Sequence, residues 1–387
     1  MKNPPSTKFW FSAYYFVYFA GVASLTPFLA LYYKGRGLSG SEIGILSAIS
    51  PLVGLVAAPL WAGLADATRK HKAIFTFATL GVVIVAFVIS ITTTLFWLIP
   101  VTIAFAFISA PIMPLIDSNT MIFLGGKRDQ YGQIRLWGAV GWAVAAPITG
   151  MLIQQSGIQW SFYAYAIMLA IALLIAIPIP MSHTQAAVPF WNGLRSLLSN
   201  RRWVFFLVMV FLIGISAASV STYLYLYMKN LGAGETEIGL ALSISTIGEI
   251  IMYVLAERIL RRFKWRGLIM IALPLYIVRL VLYSFTDSPT LILVIQLIHG
   301  FTIPAIWAAG ISYVAEAAPP GLGTTAQGIF TGVLNGLGSA TGAFLGGVLY
   351  QNFGPVVMFR TFAVILSITL LLFWLVEKRI PAEATTP

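Results

Sequence analysis

Asp117 stands in an otherwise apolar stretch, PLIDSNTM at 114–121, where a lone carboxylate would cost several kcal/mol. Arg135 offers it a partner. Asp117 and Arg135 are equally far from Gly126 along the chain, so a turn at Gly126 between two antiparallel helices would bring both to one level. The spacing therefore predicts a pair that either pins two helices together or also binds a ligand.

A second set of ionisable residues also lies at equal sequence distances from predicted turns. Glu249 and Arg279 are equally far from Lys264, and Arg279 and His299 are equally far from Pro289, so three successive helices would bring them to one level. An acid, a base and an imidazole at one depth predict a substrate or proton site, because such residues are costly inside a membrane. The alternative is a structural salt bridge beside a hydrogen-bonded histidine.

The elements that position these residues are apolar helices. The chain has 387 residues, 59% of them hydrophobic and 9% charged, against about 45–50% and about 25% in soluble domains. Runs of about 20 apolar residues are long enough to cross a bilayer as helices. We predict an all-α membrane protein with twelve transmembrane helices. The predicted spans are 9–33, 43–65, 73–93, 95–124, 134–154, 160–181, 203–228, 237–257, 267–286, 289–315, 323–350 and 356–376.

The basic residues predict the orientation. Most of the 23 lysines and arginines fall in the loops on one side of the predicted spans, and such loops are cytoplasmic. We therefore expect a multi-pass protein of the cell (inner) membrane with both termini in the cytoplasm. A basic face against anionic lipid explains the net charge of +11 without a nucleic-acid partner. No cysteine is present, so disulfides and thiolate metal sites are excluded.

The chain contains an internal repeat. Residues 29–44, LALYYKGRGLSGSEIG, agree with 224–239, LYLYMKNLGAGETEIG, at half of their positions, and GMLIQQSG at 150–157 agrees equally well with GVLYQNFG at 347–354. Repeats in one orientation are typical of transporters that rock two halves about a central site. The predicted units are an N-terminal six-helix bundle (1–181), a central cytoplasmic loop (182–202) and a C-terminal six-helix bundle (203–387).

This layout resembles the major facilitator superfamily over the whole chain. The segment APLWAGLADATRKHK at 58–72 is similar to that superfamily's loop between spans two and three, although its first glycine is displaced to Gly63. The resemblance implies a gating role for Asp66 and Arg69. The alternative is a basic turn that only orients the protein.

The charged residues narrow the resemblance to the oligosaccharide–proton symporters. It implies that Asp117 and Arg135 hold substrate hydroxyls, that Trp142 stacks on the substrate, and that Glu249 and His299, with Arg279, link substrate to proton. A sugar suits such a site because it offers paired hydroxyls and an apolar C–H face.

One departure from that family concerns the proton. Three residues after His299 the family has a glutamate that exchanges the proton, and this chain has Thr302, which cannot titrate. Either Glu249 or Asp117 carries the proton, or coupling is weak and the protein is closer to a uniporter.

Other substrates and classes stay open at the level of sequence. QIRLWGAVGW at 133–142 and TTAQGIFTGVLNGLG at 324–338 also resemble nucleoside–proton symporters and phenylpropionate-type permeases, and a drug/proton antiporter is a further alternative. Trp142 can stack on a base or a phenyl ring as well as on a sugar. Further candidates for the substrate cavity are Tyr18, Tyr223, Tyr227, Trp307 and Asn335.

The sequence thus predicts a secondary active transporter that imports a small polar organic solute, such as a sugar, together with a proton. We expect a monomer in membrane lipid that needs no cofactor or metal. An enzyme or a lipid flippase is disfavoured, because the sequence shows no nucleophile–base pair and no metal cluster.

Overall fold

The computed structural model describes residues 5–125, 128–179, 197, 199–319 and 322–379. All regular secondary structure in these residues is helical, which confirms the predicted all-α class. Up to residue 179 the helices are α1 (Pro5–Leu25), α2 (Leu29–Gly35), α3 (Gly40–Thr68), α4 (His71–Ile91), α5 (Leu95–Ser109), α6 (Ile112–Phe123), α7 (Arg128–Ser156) and α8 (Gln159–Ala176). From residue 199 they are α9 (Arg201–Asn230), α10 (Glu235–Phe285), α11 (Pro289–Gln296), α12 (Ile303–Ala317), α13 (Gly323–Thr331) and α14 (Ser339–Arg379), with a π-helical segment (Gly332–Gly338) between the last two.

Several helices are suited to cross a membrane. In the described part of the chain, eight helices are long and apolar enough to do so, or nine if α11 and α12, which meet at a 49° bend, form one span. Helix α10 has 51 residues, about 75 Å at ~1.5 Å per residue, and a bilayer core is only ~30 Å thick. Its left-handed residue Lys264 (φ 54°) divides it into two arms, and Gly354 (φ 80°) divides α14 in the same way.

Pro5 and Arg379, where the described chain begins and finishes, lie at one end of the helix bundle. We call the opposite end of the bundle the distal end. It contains the helix starts at Gly40 and Glu235, which lie in the two aligned repeats. Before α3, the Ser39 amide donates to the Glu42 carboxylate (2.7 Å), and before α10 the Gly234 amide donates to Glu237 (2.9 Å). These carboxylates satisfy amides that a helix start leaves free, so the repeated sequence fixes two similar helix starts.

The helices pack into two groups that meet around a central space. Helix α1 lies along α7 and α8, and α9 lies along α14. Contacts between α3 and α14 and between α7 and α10 join the first half of the chain to the second. The central space lies between these helix pairs, and the candidate site is there.

Candidate functional site

A central cavity of about 660 Å³ is lined by residues from both halves of the chain. This size suits a small organic ligand, since such pockets are typically about 300–1,000 Å³. The polar and aromatic lining residues are Phe19, Thr26, Tyr33, Ser47, Ser50, Thr102, Phe105, Arg135, Trp142, Ser221, Thr222, Tyr225, Ser245, Thr246, Glu249, His299 and Ser339. Of the predicted site residues, the cavity therefore brings together Arg135, Trp142, Glu249 and His299.

Arg135 lies on α7 between aromatic rings of α1. Its guanidinium carbon is 4.1 Å from the ring centroid of Phe19 and 5.5 Å from that of Tyr15. Both distances are within the range of cation–π attraction. Because rings hold the guanidinium by its face, its N–H groups stay available to a ligand in the cavity.

Asp117 lies behind this arginine and is held by Tyr15. The Tyr15 hydroxyl donates to Asp117 Oδ1 at 2.5 Å, and the Tyr15 side chain is fully buried. Among the described residues, no ion pair joins Asp117 to Arg135, and the cavity lining does not include Asp117. The predicted direct pair is thus replaced by a hydrogen bond to Tyr15, whose ring lies under the guanidinium.

Glu249 lines the same cavity as Arg135. It lies on the first arm of α10, where it lines the cavity with Tyr253 as a polar neighbour one turn away. Arg135 is close enough to act on Glu249 electrostatically, as it also acts on Asp117. One cation of the first half of the chain therefore lies near two carboxylates, one from each half.

Arg279 is separate from this group. Its side chain is 2% exposed, and it donates to Gln296 Oε1 (2.6 Å), to the Tyr283 hydroxyl (2.8 Å) and to Thr302 Oγ1 (3.3 Å). No ion pair links it to Glu249 in the described part of the chain. The predicted trio of Glu249, Arg279 and His299 is therefore not assembled as one salt-bridged cluster.

His299 stands at a break between α11 and α12. The chain makes a short 3₁₀ turn there (His299–Phe301), and Thr302 Oγ1 donates back to the His299 carbonyl at 2.6 Å. A Cβ atom on Gly300 would lie 1.9 Å from the Gly248 carbonyl oxygen, so glycine is required where the two helices touch. This close crossing brings His299 to the cavity wall near Glu249, and Thr302 stabilises the break.

Trp142 and the tyrosines have different surroundings. Trp142 lines the cavity on α7, but Tyr18 does not, because its ring packs on Tyr14 with centroids 5.7 Å apart. The Tyr223 hydroxyl donates to the carbonyls of Gly40 (3.1 Å) and Ala343 (2.9 Å), and the Tyr227 hydroxyl donates to the Thr286 carbonyl. For Tyr18, Tyr223 and Tyr227 the structure therefore corrects the predicted place on the cavity wall.

Trp307 and Asn335 are also outside the cavity lining formed by described residues. The Trp307 ring packs on Phe330 with centroids 5.3 Å apart. Asn335 is exposed in the π-helical segment, and Ser339, one turn further along, lines the cavity in its place. A π-turn contains one extra residue, so the side chains after it point in directions that differ from those of a regular α-helix. A prediction that assumes a regular helical period therefore misplaces them.

The segment with Asp66 and Arg69 forms the turn between α3 and α4. Asp66 Oδ1 lies 3.1 Å from His71 Nε2, which is in the same turn. Arg69 ends α3 in the left-handed conformation (φ 56°). These contacts stabilise the turn, and the gating role stays a prediction.

The distal end is closed by contacts between the two halves of the chain. Gln154 Oε1 accepts from the Thr236 hydroxyl (2.6 Å) and amide (3.2 Å), and Gln351 Oε1 accepts from the Ser41 amide (2.9 Å). A Cβ atom on Gly347 would lie 2.3 Å from the Gly40 carbonyl oxygen. The aligned repeats thus supply both the glutamines and the helix starts that they bind.

Comparison with known proteins identifies the family. The family model described as MFS_1 like family matches residues 9–361. The chain belongs to the MFS_1-like family. The maltose permease of Geobacillus stearothermophilus is 26% identical to it over 377 residues, which cover 96% of each chain. The probable 3-phenylpropionic acid transporter of Escherichia coli (strain K12) is 24% identical over 352 residues, 89% of this chain and 92% of that one.

Solved structures agree with the family assignment. The crystal structure of the nucleoside transporter NupG superposes with a TM-score of 0.85 at 18% identity and covers 96% of this chain and 99% of that one. A bacterial homolog of the human lysosomal transporter Spinster gives a TM-score of 0.69 at 15% identity, with both chains fully covered. The prediction of a major facilitator superfamily transporter is confirmed.

Sequence reasoning missed several residues at the site of this MFS_1-like transporter. Tyr15, which binds Asp117, is one of several tyrosines in α1, and the sequence does not show which of them faces α6. Ser245 and Thr246 lie one turn before Glu249, so the helical period of α10 could have placed them on the same face. Gln296 could have been noticed as a buried amide, three residues before His299.

Proposed function

We propose that this MFS_1-like protein imports a small neutral polar solute, such as a sugar, together with a proton, by alternating access. The observation that carries this proposal is the central cavity, in which Arg135 and Trp142 of the first half face Glu249 and His299 of the second. A site lined by both halves can be exposed to one side of the membrane and then to the other as the halves rock.

The architecture that we propose has twelve transmembrane helices in two six-helix repeats, 1–181 and 203–387, joined by the loop 182–202. The two arms of α10, the two arms of α14 and the bent pair α11–α12 fit this count. We propose a monomer in the cell (inner) membrane, and the basic loops favour cytoplasmic termini. In that orientation the distal end is outside, and its closure corresponds to a state that faces the cytoplasm.

The substrate class follows from the charges around the cavity. Arg135 offers several N–H donors, but Glu249 on the wall and Asp117 behind it already balance its charge. A carboxylate substrate would face like charges, whereas a neutral polyol could exchange hydrogen bonds with Arg135, Glu249 and the hydroxyls of the wall. Trp142 suits the C–H face of a sugar ring. The similarity to a maltose permease supports this class.

Glu249 is the proton carrier in this proposal. Its carboxylate is exposed to the cavity and lies within the field of Arg135, which substrate would occupy. Substrate binding to Arg135 weakens its hold on Glu249, so a proton can neutralise Glu249 before the halves rock. Asp117 is less suited, because Tyr15 holds its carboxylate. His299, near Glu249, completes the coupling group, and Arg279 contributes to it only through its charge near His299.

Uptake into proteoliposomes tests the proposal. The purified protein is reconstituted, and uptake of labelled maltose, uridine and 3-phenylpropionate is measured with and without an imposed inward proton gradient. We expect maltose uptake that rises with the gradient and is abolished by a protonophore. Uptake of 3-phenylpropionate or uridine in preference to maltose would overturn the substrate class, and uptake insensitive to the protonophore would overturn proton coupling.

A further inference from the structure

A smaller cavity lies beside the central one in the second half of the chain, with a volume of about 60 Å³. We call it the side chamber. Ser221, Tyr225, Ser245 and His299 line both cavities, so the side chamber adjoins the central cavity. Its other polar lining residues are Tyr276, Arg279 and Gln296.

Arg279 brings an uncompensated positive charge to this chamber. A guanidinium stays protonated in proteins. The three acceptors that bind it, on Gln296, Tyr283 and Thr302, are all neutral. No carboxylate among the described residues forms an ion pair with it. A charge that is buried at membrane depth without a counter-charge is strongly unfavourable, so this site requires an anion.

The chamber also has spare hydrogen-bond donors. A guanidinium has five N–H groups, and three bonds to described residues leave two of them unused. Tyr276, whose hydroxyl can donate, also lines the chamber. His299 Nδ1 is buried without a partner in the described part of the chain, and it donates when it carries the proton. Unused N–H donors next to the positively charged Arg279 side chain form the kind of lining that binds an anion.

We propose that the side chamber binds one small monovalent inorganic anion of the size of chloride, as the counter-ion of Arg279. The chamber, about 60 Å³, is much smaller than the central cavity of about 660 Å³, which limits it to a small ion or a few water molecules. An organic solute of the size of a sugar does not fit, so this site is distinct from the proposed substrate site. The ion reaches it from the central cavity through the shared wall.

A halide titration tests this proposal. The unfolding temperature of the purified protein in nanodiscs is followed by tryptophan fluorescence while sodium chloride replaces sodium gluconate at constant ionic strength. Gluconate is too large for the chamber. We expect the unfolding temperature to rise and saturate with chloride, because a ligand of the folded state stabilises it. The Arg279→Gln variant should lose this dependence, and Arg360→Gln, which neutralises an exposed arginine outside the chamber, should keep it.

If Arg279→Gln does not fold, bromide binding to the wild type and the Tyr276→Phe variant test the proposal instead. Crystals grown with bromide should show an anomalous peak between Arg279 and Tyr276, and Tyr276→Phe should shift the chloride midpoint at least about threefold upward. A wild-type protein equally stable in chloride and gluconate, with no bromide peak in the chamber, would show that only water occupies it. A chloride response retained in Arg279→Gln would place the ion elsewhere and also overturn the proposal. None of these readouts uses transport, so they are independent of the proposed function.

Discussion

Two of the arginines within the apolar helices, one in each half of the chain, have different surroundings. Arg135 lines the central cavity and is held by the faces of Phe19 and Tyr15. Arg279 is 2% exposed, and it is fixed by hydrogen bonds to Gln296, Tyr283 and Thr302. Arg135 donates no hydrogen bond to a described residue and so keeps its donors for a ligand, whereas most donors of Arg279 bind protein acceptors.

The comparison of Arg135 with Arg279 shows that an arginine at membrane depth does not by itself define a substrate site. Ring faces attract a cation without using its N–H groups, so Arg135 can exchange partners when substrate enters. Neutral acceptors on three sides immobilise Arg279. We therefore expect substitutions at Arg135 to change binding of substrate and substitutions at Arg279 to change stability.

The largest expected effect is that of Arg135→Ala. This change removes charge-assisted hydrogen bonds to substrate of ~1.5–3 kcal/mol each, so two such bonds correspond to a loss in maltose affinity of at least about 100-fold. Binding of labelled maltose to purified protein measures it. Arg279→Ala, the matched change in the other half, should lower the unfolding temperature and weaken maltose binding by less than about tenfold. Equal losses of affinity in the two variants would remove the distinction between the arginines.

A smaller effect is expected at Trp142, where the two halves also differ. By the spacing of the aligned segments 150–157 and 347–354, Ser339 is the counterpart of Trp142, and both line the cavity. Stacking on an aromatic ring contributes ~1 kcal/mol. Trp142→Phe should keep most maltose uptake and Trp142→Ala should lower it about fivefold or more. Trp137→Phe, on the exposed side of the same helix, is the control. Equal uptake by the Phe and Ala variants would refute stacking.

The smallest effect is expected at the distal end, where the two halves contribute one glutamine each. Gln154→Ala and Gln351→Ala each remove bonds to a helix start, of ~1 kcal/mol. Each should therefore raise the ratio of open to closed distal ends by about fivefold, and in the double variant the two factors should multiply because the free energies add. Because the chain has no cysteine, spin labels at Thr93→Cys and Asp287→Cys can report the distance across this end by pulsed electron resonance.

Gln155→Ala, which changes the neighbouring exposed glutamine, is the control and should leave the distance unchanged. Unchanged distances in the double variant would show that the glutamines do not hold the end closed.

Much of this site follows from sequence, and the rest depends on helix rotation. Counting along antiparallel helices places Asp117 and Arg135 at one level in the first half, and Glu249, Arg279 and His299 at one level in the second. Of these, Arg135, Glu249 and His299 line the cavity. Counting residues gives the depth of a side chain along its helix but not the direction in which it points. Depth alone therefore pairs Glu249 with Arg279, whereas in the structure Glu249 is near Arg135. The bond between Tyr15 and Asp117 joins residues 102 positions apart, and no local pattern indicates it. The break at Thr302 rotates α11 relative to α12, which a regular helical period does not predict.

The role of Glu249 as the proton carrier is tested by measuring the protons that the protein takes up when substrate binds. Proteoliposomes without a gradient receive maltose, and the pH of a weakly buffered medium is recorded for the wild type, for Glu249→Gln and for Glu257→Gln, an exposed acid on the same helix. We predict alkalinisation with the wild type and Glu257→Gln, and none with Glu249→Gln, while maltose exchange across the membrane persists in all three. Alkalinisation by Glu249→Gln at the wild-type rate would contradict the account.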